Sequence, residues 1–212
     1  MEIYRRRLPH AFAENTPIFV TWRMKFSLPR KIIESMAAEN KAFEKQISSL
    51  SEDYQNLQRY QFSKKQFDKY DQMLTKDHSF PHLLIRPEIA SIVQSSISFL
   101  DGRKYCLHSY CIMSNHVHLL ITPFIETGAE KQAVRSITHS LKRFTAREIN
   151  KLLFRQGPFW AQESYDHLVR NDKEFYRIAF YILNNPVKAG LVEDWKQWRY
   201  TWLHDDLKEL FD

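Results

Sequence analysis

His116-Val117-His118 opens the apolar run His116 to Ile121, preceded by Met113-Ser114-Asn115. If residues 117–122 form a β-strand, side chains alternate between its faces, so both imidazoles point to one side and Val117 to the other. Two imidazoles on one side can converge on one divalent ion, with a third protein ligand drawn from elsewhere. The competing reading is a pair of half-buried strand histidines bonded to backbone carbonyls. Downstream, Phe180-Tyr181-Ile182-Leu183-Asn184-Asn185-Pro186 reads as helix, which sets Tyr181 and Asn185 one above the other at i, i+4. A phenol nucleophile and an amide ligand at that spacing can both reach one ion. Each also has a plainer role: Tyr181 as a core anchor in a chain with ten tyrosines, Asn185 as the cap of a new turn from Val187. His10, His78, His82, His108, His139, His167 and His204 have no comparable partner and read as structural or exposed.

A metal beside a tyrosine points to phosphodiester chemistry. Attack on a phosphodiester accumulates negative charge on its oxygens, which a divalent ion stabilises while polarising the scissile phosphate. A phenol, with an unperturbed pKa of about 10, becomes a competent attacking oxygen near a cation, and a phosphotyrosine ester stores the bond for resealing.

These residues need elements to position them. Ile18 to Met24 is β-branched and aromatic and predicts a first strand. Pro29 opens a helix, and apolar residues at Ile32, Met36, Phe43, Ile47, Leu50, Tyr54 and Leu57 make a heptad-like stripe. That stripe fits one long amphipathic helix, two helices broken near Ser51, or an intermolecular coiled coil. Phe67, Tyr70 and Leu74 suggest a second short helical face, and Pro87 starts a helix that Asp101-Gly102 ends. Tyr105 to Met113 and His116 to Thr122 form a hairpin around Ser114-Asn115. A helix over 130–153, a break at Gly157-Pro158, a strand over 164–170 and a last helix from Asn171-Asp172 that stops before Pro186 complete the chain. The order β, helices, β, β, helix, β, helix predicts an α+β fold. Its sheet is a ferredoxin-like antiparallel split βαβ, with a C-terminal helix carrying Tyr181. One domain over 1–212 with a helical insertion at about 37–78 is expected.

Composition narrows the partners. A formal charge of +6 and a sequence pI near 9.2 suit a polyanion. Lys131, Arg135, His139, Arg143, Arg147 and Lys151 recur every four residues, a band that spirals slowly around one helix and fits either a phosphate backbone or a solvated surface. Arg5, Arg6 and Arg7 suit a basic arm, and Trp160 or Tyr165 suits the stacking of an unpaired base. Cys106 and Cys111 stand five apart in one strand, so they should face opposite ways and stay reduced. No segment approaches a membrane span and no apolar run follows the basic N-terminus, so a cytoplasmic protein is expected.

The chain resembles the single-strand DNA transposases of the HUH superfamily, most closely the REP-associated tyrosine transposases. The resemblance runs through Arg7-Leu8-Pro9-His10, Phe19-Val20-Thr21-Trp22-Arg23 and Met113 to Leu120. It continues in Ser140-Leu141-Lys142-Arg143-Phe144-Thr145, Gly157-Pro158-Phe159-Trp160, Tyr165 to Arg170, and Tyr181 to Val192. It implies a nucleophile at Tyr181 and metal ligands at His116, His118 and Asn185, the last standing where related transposases use glutamine. The implied ion is Mg²⁺ or Mn²⁺. The expected DNA contacts are Arg135, Lys142, Arg143, Arg147, Lys151 and Arg170, the expected partner is single-stranded or hairpin DNA, and a homodimer is one expected assembly state. The implied activity is nicking and strand transfer at palindromic elements in the bacterial cytosol, with the enzyme joined to the 5′ phosphate and a 3′ hydroxyl released. A DNA-binding or regulatory descendant that no longer cuts is the alternative. A small-molecule phosphoesterase with paired histidines would have no use for Tyr181 or so basic a helix.

Overall fold

The computed structural model describes residues 16–76, 82–124 and 133–211. The basic arm at Arg5 to Arg7, His10, His78 and Lys131 lie outside the described residues. The chain divides into two compact units, one within residues 26–80 and one holding the remaining described residues.

The smaller unit is a helical hairpin of α1 (Arg30–Ile47) and α2 (Glu52–Lys76). Pro29 precedes the first helical residue, where its missing N–H breaks no helical bond. The stripe is broken at residues 48–51, as two helices require, and Ser48 Oγ turns back to the Lys45 carbonyl at 2.8 Å. Phe67, Tyr70 and Leu74 are not a separate helix but part of α2, because no Pro or Gly interrupts the chain from 52 to 76. Across the hairpin, Phe43 stacks on Phe62 at 3.9 Å between ring centroids and Arg59 grips Glu44 at 2.9 Å. Lys69 meets Glu39 at 2.7 Å, and its hydrogen bond, followed by that of Gln66, holds the Glu39 carboxyl below its ordinary range.

The larger unit is α+β. Its sheet holds β1 (Ile18–Arg23), β2 (Tyr105–Ile112), β3 (His116–Pro123), β4 (Tyr165–Leu168) and β5 (Thr201–Leu203) in the order β4-β1-β3-β2-β5. Every pairing is antiparallel. The first four strands have the ferredoxin-like order that the element sequence predicts. β5 was not expected: three residues carry too little period-two signal to read, and tertiary anchors such as Trp198 Nε1 donating to the Ile112 carbonyl at 3.0 Å hold it to the edge.

One sheet face carries Ile18, Val20, Trp22, Val117, Leu119 and Ile121 into the main core. Over it lie α3 (Pro87–Leu100), through Ile89, Val93 and Ile97, and α4 (Ala133–Leu152), through Val134, Ile137, Leu141 and Ile149. The other face carries Phe19, Thr21 and Arg23 opposite Leu120, His118 and His116, and packs against α5 (Asp172–Lys188).

Two expectations about phase and length are corrected. β2 shifts register between Leu107 and Ser109, so Cys106 pairs with Thr122 and Cys111 with His118. Those partners share a face; the extra residue of the bulge puts the two cysteines on one side rather than on opposite sides. Four residues of strand, about 13 Å, still separate them, and both are free. The last helix does not stop before Pro186 but runs through it to Lys188. Pro186 falls in the final turn, so the Ile182 carbonyl loses its helical donor only where the helix is about to end. The amides of Asn184 and Asn185 reach back to the Phe180 and Tyr181 carbonyls at 3.2 and 2.9 Å. Gly190 closes the helix at φ 68°, and Leu191 N–H bonds the Pro186 carbonyl at 2.9 Å.

Candidate functional site

Both histidines of the hairpin are fully buried, on the sheet face that α5 covers. Strand alternation brings their Nε2 atoms within 3.0 Å of each other. Each Nδ1 is held from outside: His116 Nδ1 lies 2.6 Å from Asn115 Oδ1, and His118 Nδ1 lies 2.8 Å from Thr21 Oγ1. An amide oxygen only accepts, so the His116 proton sits on Nδ1 and the Nε2 lone pair faces inward. The Thr21 hydroxyl can donate or accept, so it can follow either His118 tautomer.

This arrangement fits a divalent ion. Metal-ligating histidines commonly give their second ring N–H to an oxygen acceptor, which fixes the tautomer and the ring plane. Two ligands at about 2.1 Å from one ion and at right angles would stand about 3.0 Å apart. Without an ion, His118 Nε2–H can donate to His116 Nε2 across that gap; with the His118 proton on Nδ1 instead, both lone pairs face the gap and can take a cation.

Tyr181 reaches the same face from α5. Its ring packs edge-on against His118 at 5.6 Å and against Phe19 at 5.9 Å between centroids, and Phe19 stacks on His118 at 5.7 Å. The Lys188 ammonium sits over the Tyr181 ring, 4.3 Å from its centroid. α5 begins where the sequence indicates, with Asn171 Oδ1 accepting from Glu174 N–H at 2.9 Å. Glu174 is buried and is met by His167 at 3.1 Å and by Arg177 at 2.8 Å.

Asn185 is buried inside α5, so it is not the cap of a turn beginning at Val187. Its Nδ2 donates to the Tyr181 carbonyl at 2.9 Å. Arg23, opposite His116 on the same face, is buried with its Nη1 donating to the Met24 and Lys25 carbonyls, each at 3.0 Å.

On α4, Arg135, His139, Arg143, Arg147 and Lys151 are all exposed. Arg147 pairs with Glu148 at 2.8 Å and lies over the Phe144 ring. Lys142 is held by the Gln162 carbonyl at 2.8 Å, and Arg170 is exposed just before the α5 cap. Trp160 is not available to stack a base. It is 5 % exposed, its Nε1 donates to Thr145 Oγ1 at 2.9 Å, and its backbone bridges to Met24.

Sequence reasoning missed Thr21, Asn115 and Lys188. Asn115 was within sight as the neighbour of His116. Thr21 needed the β1 to β3 register, and Lys188 needed a helix that continues past Pro186.

No family model matches the sequence. Over 106 residues the chain is 34% identical to a protein of Haemophilus influenzae described as a REP-associated tyrosine transposase. The resemblance is to REP-associated tyrosine transposases. The match covers 46% of this chain and 58% of that relative, so it spans less than two thirds of the relative's length. A solved structure of a REP-associated tyrosine transposase bound to a REP hairpin has the same fold: TM-score 0.57 at 14% identity, covering 100% of this chain and 88% of that one. The sheet that sets His116 and His118 side by side is therefore an architecture found in a REP-associated tyrosine transposase.

Proposed function

We propose that this chain is a metal-dependent tyrosine transposase that nicks and rejoins single-stranded or hairpin DNA at palindromic elements. The observation that carries the reading is the contact of the Tyr181 ring with His118, whose Nε2 stands 3.0 Å from that of His116. A nucleophile and an ion site on one sheet face are what phosphodiester transfer needs.

His116 and His118, with Asn185 as third ligand, would hold Mg²⁺ or Mn²⁺. Bound there, the ion would offset the charge that builds on the phosphate oxygens. Phe19 and Lys188 hold the phenol of Tyr181 against the His118 ring. The Tyr181 oxygen attacks phosphorus and its proton leaves to solvent. The bond from phosphorus to the 3′ oxygen breaks, and that oxygen takes up a proton to leave as a 3′ hydroxyl. The enzyme is left esterified to the 5′ phosphate, and a later 3′ hydroxyl reverses the step to join a new strand. Arg135, Lys142, Arg143, Arg147, Lys151 and Arg170 supply the phosphate contacts. The work is cytosolic.

The test is trapping. A hairpin oligonucleotide built from palindromic DNA flanking the gene, labelled on the 5′ phosphate side, should yield a denaturant-stable adduct with Mn²⁺. Tyr181→Phe should bind the same hairpin and form none. Hairpin binding by the wild type with no adduct under any metal would instead favour a DNA-binding protein that does not cut.

A further inference from the structure

At the end of α4 the Leu153, Phe154 and Arg155 N–H groups bond the Ile149, Lys151 and Asn150 carbonyls at 2.9, 3.3 and 3.0 Å. That is a complete Schellman closure, and the residue at its left-handed position is Phe154, at φ 50°. The corresponding closure after α5 uses Gly190, at φ 68°. Phe154 stands alone as a non-glycine residue with positive φ among the described residues, and a bulky side chain is strained there. Its ring is 99 % exposed. The position thus carries a backbone cost and an exposed aromatic ring with no return inside the fold, which is a pattern found where a side chain meets a ligand.

The surroundings name the ligand. Lys151 is exposed one turn before Phe154, and Arg143 and Arg147 continue the basic band along the same helix. Arg155 follows directly, its guanidinium over the Phe159 ring at 5.7 Å. A protruding aromatic ring at the end of a cationic track matches a nucleic acid strand, whose phosphates follow the charges while a base stacks on the ring. We propose that Phe154 is a stacking residue for an unpaired base of the DNA that lies along α4. The proposal rests on the DNA reading given above.

Fluorescence anisotropy with a labelled hairpin bearing an unpaired tail, and with its fully paired counterpart, tests it. Phe154→Gly should weaken binding of the tailed hairpin by about fivefold or more, the effect of losing one stacked base, and leave the paired form unchanged. Phe154→Trp should retain wild-type affinity. Glycine suits the left-handed position, so Phe154→Gly should melt no lower than the wild type, which separates a lost contact from a damaged fold. Equal affinity of wild type and Phe154→Gly for the tailed hairpin would overturn the proposal while leaving the DNA reading intact. So would a change of oligomeric state on sedimentation without a change in affinity. Wild-type protein that binds neither hairpin would remove both readings.

Discussion

Lys188 holds its ammonium 4.3 Å from the centre of the Tyr181 ring, across seven residues of one helix. The two side chains meet because α5 continues through Pro186; a helix ending at Asn185 would release Lys188 from that face. A cation over a phenol anchors the ring and favours negative charge on it. Lys188→Met should therefore slow adduct formation severalfold with DNA affinity nearly unchanged, and Lys188→Arg should restore most of the rate. Single-turnover trapping beside a binding isotherm separates the two quantities. Equal trapping rates in Lys188→Met and wild type would leave Lys188 as an ordinary surface residue.

Thr21 and Asn115 orient the two imidazoles from behind. Removing such a partner commonly lowers metal affinity by about 10- to 100-fold. Thr21→Val should do so in a Mn²⁺ titration and also lower stability by about 1–3 kcal/mol, since it takes the oxygen partner from a buried ring nitrogen. His116→Ala and His118→Ala should each abolish Mn²⁺ binding and metal-dependent cleavage while hairpin binding survives. Cleavage that persists in both, without added metal, would make the histidines structural.

Asn185 gives a test in which metal and stability pull apart. Asn185→Asp keeps an oxygen but loses the donor to the Tyr181 carbonyl, so without metal it should be less stable by about 1–3 kcal/mol. Mn²⁺ should recover much of that loss. Asn185→Leu should lose both the hydrogen bond and most of the Mn²⁺-induced rise in Tm. If the Leu variant keeps the full rise, the third ligand is another group.

His108 predicts the response of stability to acid. It lies at the β2 bulge, its Nε2 2.7 Å from Thr122 Oγ1 and its ring against Phe175. Burial, reinforced by nearby His204 and opposed by Asp101, pushes its pKa down to about 4. The unfolded chain then takes up a proton at about pH 6.5 that the folded chain refuses until about 4, so stability falls as pH drops through that window. The loss should be on the order of 2–3 kcal/mol. Urea midpoints at neutral pH and near pH 4.5 should differ less in His108→Asn than in wild type; identical pH dependence would remove His108 as the source.

Much of the architecture was legible because it is written in local patterns. Alternation in a strand put His116 and His118 on one side whatever the rest of the chain did. The caps and prolines at 29, 87 and 171 marked helix starts, and the element order gave the sheet topology. The failures were where a local signal met a packing constraint. Pro186 reads as a stop, yet the helix runs through it to Lys188, because a proline this close to the end leaves only the Ile182 carbonyl without its helical donor. Trp160 reads as a stacking residue, but the bridge to Met24 draws it inward. One bulged residue in β2 reversed the phase of everything beyond it, and no feature of the residues themselves announces a bulge.

The sequence by itself determined that two imidazoles share a side and that Tyr181 and Asn185 share a helix face, since both follow from the period of one element. Only the tertiary structure decided that those faces meet. The contact of Tyr181 with His118, the choice of Thr21 as the oxygen behind His118, and the placement of Lys188 over the phenol all join residues on different elements or across a proline. Such pairings depend on sheet register and on how α5 lies across the strands, which the packed core sets for the whole unit at once.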